Sequence, residues 1–179
     1  MDSRGASEVL SGWHAALPGS PVGMRNALYR AGLWLGYRAL ILKWRLRRPT
    51  LHGACVAVWH EERLLLIRNS YKRGESLPGG SLRHRESPRA AARRELAEEV
   101  GIEVDPVELT FCCAVQTRGR YADGHTHVFE IEFEHDPDLI LDQREVVWAG
   151  FCPAELLSGR PLIAPVRFYL SKRAAARET

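Results

Sequence analysis

This chain has no cysteine pair at CxxC spacing, no internal repeat, no low-complexity tract and no long apolar run free of charge. Its four cysteines, Cys55, Cys112, Cys113 and Cys152, match no zinc-ligand spacing, and in a strand the adjacent Cys112 and Cys113 would face opposite sides. They read as reduced core thiols of a cytoplasmic protein. An excess of one charge is also missing: 25 Lys and Arg meet 22 Asp and Glu, and a net +3 gives no electrostatic case for nucleic-acid binding. The chain starts with Asp2, Arg4 and Glu8 and no apolar run behind a basic segment, so no secretory signal is expected. The most apolar stretch, residues 28–46, is interrupted by Arg30, Arg38, Lys43 and Arg45, which argues against a spanning helix.

With 45% hydrophobic and 26% charged residues in a chain of 179, one compact domain with an appended element is expected rather than disorder. We divide it into an N-terminal extension, 1–48, and a domain, 49–179. Residues 1–22 hold Gly, Ser and Pro without a period and read as a loose lead-in. From residue 24 to 47 a helix is expected, with Leu28, Ala31, Gly32, Leu35, Ala39, Leu42 and Leu46 on the stripe that docks; Pro49 stops it. Tyr29, Leu33, Leu40 and Trp44 form a second apolar side that stays open once the first has packed. Residues 25–48 hold seven Lys or Arg and no acid, so this side suits packing within the domain, a homodimer partner or peripheral membrane contact. Short apolar runs at 54–59 and 64–68 predict a hairpin, with further strands near 109–116, 128–133 and 146–151 and a last helix over 164–175. Mixed strands and helices of this kind predict an α/β sandwich.

The informative segment is Gly80–x5–Glu86–x7–Arg94–Glu95–Leu96–x–Glu98–Glu99–x–Gly101–Ile102. Ser87 reads as the N-cap of a helix with Pro88 at its first position and Gly101 at its end. Glu95, Glu98 and Glu99 then share one face of the last turn, where they oppose the helix dipole and repel one another. A bound cation would reverse the sign of each of those interactions, and oxygen-only donors suit Mg²⁺ or Mn²⁺ rather than zinc. Ala92, Leu96 and Val100 form the adjacent apolar stripe, and Ala91, one turn before Glu95, is expected to leave space beside the acids.

This segment resembles the Nudix box with every fixed position filled, a chance match on the order of one in a hundred million per window at ordinary residue frequencies. The preceding Leu77, Pro78 and Gly79 extend the likeness. The resemblance implies a Nudix-type α/β/α sandwich with a mixed sheet, here carrying the N-terminal amphipathic helix. It implies a Mg²⁺- or Mn²⁺-dependent hydrolase that cleaves a diphosphate linkage in a nucleoside diphosphate joined to another moiety, or in a nucleoside triphosphate. Two other classes stay open: a hydrolase of an isoprenoid or other apolar diphosphate, and a non-catalytic binding module. By the same likeness the Gly79 carbonyl and the carboxylates of Glu95, Glu98 and Glu99 are candidate metal ligands. Glu86 and Arg94 are candidate structural partners, and Glu95 or a more distant acid, Glu145, would activate the water. Glu130 and Glu132 rival Glu145, or pair with nearby arginines.

Substrate choice is expected from two loops, residues 68–73 and 118–127. There Arg68, Arg118 and Arg120 would hold phosphate groups and Tyr71 and Tyr121 would stack on a base. His125 and His127 would share a strand face, without a third ligand at zinc spacing.

Overall fold

A computed structural model describes residues 24–141 and 143–177; the lead-in assigned to residues 1–22 lies outside them. The elements are α1 (Met24–Arg47), β1 (Thr50–His60), β2 (Arg63–Asn69), β3 (Gly79–Ser81), α2 (Pro88–Val100), β4 (Thr110–Arg118), β5 (Asp123–Glu132), β6 (Val146–Pro153) and α3 (Ala164–Arg177). Short 3₁₀ turns precede β4 and follow β6.

The six strands form one mixed sheet in the order β4-β5-β1-β2-β6, with β3 also lying on β1. β1 runs parallel to β5 from Thr50↔Asp123 to Trp59↔Glu132, and the β2–β6 and β4–β5 pairs are antiparallel. The β1–β2 hairpin turns through Glu61 and Glu62 at φ 45° and 57°, the positive values that a two-residue turn uses to match strand twist. Pairing of β1 with β2 is confined to Trp59↔Leu64 and His60↔Arg63 beside that turn. Farther along, the strands part and β3 takes the edge of β1 at Gly53↔Ser81, Ala54↔Gly80 and Cys55↔Gly79. This divergence puts a glycine backbone, rather than a strand full of side chains, next to α2.

β1 reads as a continuous apolar run because both of its faces are covered. Ala54, Val56 and Val58 meet Ala91, Ala92, Leu96 and Val100 of α2 on one side. Cys55, Ala57 and Trp59 meet Val166 and Tyr169 of α3 on the other. α2 starts as expected, with the Ser87 hydroxyl accepting from the Ala90 N–H, and ends at Gly101 in the left-handed region, φ 74°.

Four expectations are corrected, and one strand, β3, is added. Ala91 leaves no space beside the acids, because α2 uses its small residues to approach the sheet and Ala91 is fully buried. β5 begins at Asp123 rather than near residue 128, since parallel pairing to β1 recruits a polar segment that carries no apolar alternation of its own. β3 has no apolar signal at all. The docked side of α1 is not the expected one: Leu28, Leu35, Leu42 and Leu46 point outward, while Arg30, Leu33, Tyr37, Ile41 and Trp44 are partly covered, and of the side expected to stay open Tyr29 and Leu40 do remain exposed. Arg30 decides this by donating to the Gln143 carbonyl (2.6 and 3.1 Å), and Tyr37 packs on Tyr71 at 5.3 Å between ring centres. Finally, a bulge in β4 between Phe111 and Cys113 breaks the alternation that would separate the vicinal cysteines. Cys112 is exposed, and burial together with the neighbouring Cys112 thiol raises the Cys113 pKa to about 11.

Candidate active site

α2 delivers its three acids to graded depths. Glu99 is only 4% exposed and receives the Gly79 N–H (2.7 Å) on one oxygen and the Asn69 side-chain amide (3.2 Å) on the other. Burial nonetheless pushes its pKa up from 4.5 to about 8; the Gly79 N–H pulls the other way, and the charges of Glu95 and Glu145 add to the rise. Glu95 is also raised, by burial first, against the pull of Arg94. Glu98 stands half in solvent, held by Arg83 (3.0 Å) and Arg94 (3.2 Å).

Arg94 organises the loop before the helix. It makes a two-point pair with Glu86 (2.8 and 2.9 Å), reaches Glu95 (2.6 Å) and donates to the Ser81 carbonyl (3.2 Å). The Glu86 carboxyl, held chiefly by Arg94, falls to about 2, with the Arg83 N–H also contributing. One guanidinium therefore ties β3, the following loop and α2 into one body.

Glu145, just before β6, joins this cluster. The Tyr71 hydroxyl donates to it, and its charge is felt at both Glu95 and Glu99. Its rivals lie elsewhere: Glu130 takes Arg173 and the Tyr169 hydroxyl on the α3 face, and Glu132 is exposed. Among the described residues, no three His, Cys, Asp or Glu side chains are gathered closely enough to hold a metal ion as they stand. The donor chemistry still fits a hard cation, since Glu95, Glu99 and Glu145 bring carboxylate oxygens together and the carboxyls of Glu95 and Glu99 are raised above the ordinary range. Three histidine rings do assemble, His125 at 4.9 Å from His127 and 5.5 Å from His52, on the sheet face that α2 also covers, with His127 against Phe111.

A cleft of about 390 Å³ opens next to the acids, sharing Asn69, Gly79 and Gly80 with them. Its rim carries Tyr37, Lys72 and Arg73. Gly79 is required by close approach, since a Cβ there would run into the Ala54 carbonyl and Cys55 Cα; one on Gly80 would meet only the Glu95 carboxylate and push it aside.

A family model described as the NUDIX domain matches residues 49–174. The chain belongs to this family. A MutT-like protein of Streptomyces ambofaciens is 42% identical over 74 residues, 40% of this chain and 48% of that protein, so the chain spans about half the length of this relative. The MutT protein of Methanosarcina mazei Go1 superposes with a TM-score of 0.64 at 21% identity, over 74% of this chain and 98% of that one. A MutT NUDIX hydrolase of Burkholderia pseudomallei gives 0.62 at 22% identity, over 69% and 97%. These structures share the NUDIX sandwich.

Of the residues expected to choose substrate, Tyr71 lies at the NUDIX cluster. Arg68 is turned to Glu75 (3.0 Å) and the face of Trp148, which Arg160 covers as well. Arg118, Arg120 and Tyr121 do not line the cleft; Arg120 stacks on Tyr121, which sits beside Arg38 and Arg45 of α1. Sequence reasoning passed over Asn69, Arg83 and Tyr37. Asn69 ends β2 as a buried amide, and a polar residue closing an apolar strand was the available signal. Arg83 and Tyr37 carried none, since only the fold brings them to the site.

Proposed function

We propose that this NUDIX protein is a metal-dependent hydrolase of a diphosphate linkage in a nucleoside diphosphate joined to another moiety, or in a nucleoside triphosphate. The observation that carries the reading is the buried Glu99, kept beside Glu95 and Glu145 although burial first, and then the charges of those two acids, oppose its ionisation. A pure binding module has no need of that arrangement. Glu95, Glu98, Glu99 and the Gly79 carbonyl would hold Mg²⁺ or Mn²⁺. Bound there, such an ion offsets diphosphate charge and lowers the pKa of a water.

The protein's own groups supply the rest. Glu145, positioned by Tyr71, takes the proton as the water oxygen bonds to phosphorus; the bridging P–O bond breaks and its electrons leave with the second phosphate. Glu95 is the alternative acceptor, but Arg94 already engages it. Lys72 and Arg73 face the non-reacting phosphate from the cleft rim, and Tyr37 offers a ring to the attached group. Glu86 and Arg94 hold the scaffold.

Glu98→Gln should lower Mg²⁺-dependent turnover, read as phosphate freed from the phosphomonoester or pyrophosphate products by an added phosphatase or pyrophosphatase, by roughly three powers of ten with thermal unfolding unchanged, several kcal/mol being the ordinary contribution of such an ion. Turnover equal to the parent's would remove Glu98 from the site. One observation favours a second reading: an apolar groove of about 430 Å³ runs between α1 and Tyr71, floored by Gly32 and Gly36 and flanked by Leu33 and Leu40. It would receive the chain of an isoprenoid diphosphate. A product screen coupled to added phosphatase and pyrophosphatase, or read by chromatography, over nucleoside triphosphates, nucleotide sugars, ADP-ribose, dinucleoside polyphosphates and isoprenoid diphosphates separates the two.

A further inference from the structure

The outward face of α1 is apolar and uncovered. Leu28, Leu35 and Leu42 recur every seven residues with Leu46 one turn beyond, and they are 68%, 62%, 61% and 81% exposed. Ala39 lies between them on the same side and is exposed. At 3.6 residues per turn this stripe is flanked by Lys43 and Arg47 on one side and by Arg38 and Arg45 on the other. No acid occurs between residues 25 and 48. The opposite side of the helix is the docked one, held by Arg30 on Gln143 and by Tyr37 on Tyr71.

We propose that α1 lies in the interface of an anionic bilayer, its leucine stripe among the acyl chains and its flanking cations at the lipid phosphates. The helix is not long and apolar enough to cross a membrane, which leaves the in-plane position. Long Arg and Lys stems beside an apolar stripe reach up to headgroups while their methylenes stay with the lipid. A second copy of the chain suits the stripe less well, because it would set the flanking cations Arg38, Lys43, Arg45 and Arg47 against the same four with no acid between them. A nucleic acid would satisfy the cations and leave the leucines in water. Tyr37 lies on the side of α1 away from the stripe, so the cleft stays open to solvent while the helix is seated.

The test is co-sedimentation of the full chain with vesicles of phosphatidylcholine alone and of phosphatidylcholine with phosphatidylglycerol. Binding should be on the order of a hundredfold tighter to the anionic vesicles, as expected for several cations near such a surface, and should weaken with added salt. Leu35→Glu with Leu42→Glu should abolish it while leaving the thermal unfolding curve in place, both side chains being exposed. Lys43→Glu with Arg45→Glu should remove the preference for the anionic vesicles. Absence of binding, or binding indifferent to these substitutions, overturns the proposal. So does a dimer in sedimentation equilibrium that the leucine substitutions dissolve when no vesicle is bound, since the stripe is then covered by another copy.

Discussion

Glu99 shows how one carboxyl can weaken a fold and still be kept. Its pKa is 4.5 in an ordinary setting and about 8 here. Below about pH 4.5 it is protonated folded or unfolded and has no influence. Between there and about pH 8 the folded protein holds a proton that the unfolded chain releases, so stability falls as pH rises through that window. Glu99→Gln should flatten this slope and unfold at a higher temperature than the parent above pH 8 in the presence of a chelator; an unchanged slope would assign the proton to another group. Glu86 has the reverse sign: its depressed pKa gives stability that is fully present above about 4.5 and lost as pH falls toward about 2. The spacing of Glu86, Arg94, Glu95, Glu98 and Glu99 was legible in the sequence because helical geometry alone brings them near each other. Asn69, Arg83 and Tyr37 were not, as each arrives from an element whose place depends on the whole sheet.

At the level of elements, α2 is the best-marked piece of the chain and the one that carries the site. Its end is fixed by Gly101, where a Cβ would meet the Ile140 side chain at 2.7 Å and where φ of 74° suits glycine. Gly101→Ala should cost about 2 kcal/mol or more in urea unfolding, from strain plus that contact, and should disturb Glu98 and Glu99 in the turn just before it. A cost below about 0.5 kcal/mol would show that the turn relaxes freely. β1, β2 and β6 were equally plain, being apolar runs with turn residues between them. β3 and the first half of β5 were hidden for one reason: β3 is Gly-Gly-Ser and β5 opens with Asp123-Gly124-His125, and both exist through hydrogen bonds that β1 offers rather than through side chains they bury. The α1 helix itself was legible, but its orientation was not, because the docking contact is an arginine and two tyrosines rather than the leucine stripe.

For the molecule as a whole, neither of the two core clusters on the sheet faces includes a residue of α1. Removing residues 1–48 should therefore leave a domain that unfolds cooperatively within about 5 °C of the full chain, while KM rises through loss of Tyr37 from the cleft rim. A truncated chain that melts far below that, or without cooperativity, would make α1 part of the domain. The glycine pair beside the acids sets a different kind of limit. Gly79 and Gly80 are wedged between the β1 backbone and Glu95, so no larger residue can be tried there without moving the sheet or the carboxylate. Room for change is thereby unequal around the cleft: beside the acids a single added methyl group already forces a shift, whereas the loop around Lys72 and the helix above it can vary without touching the sheet.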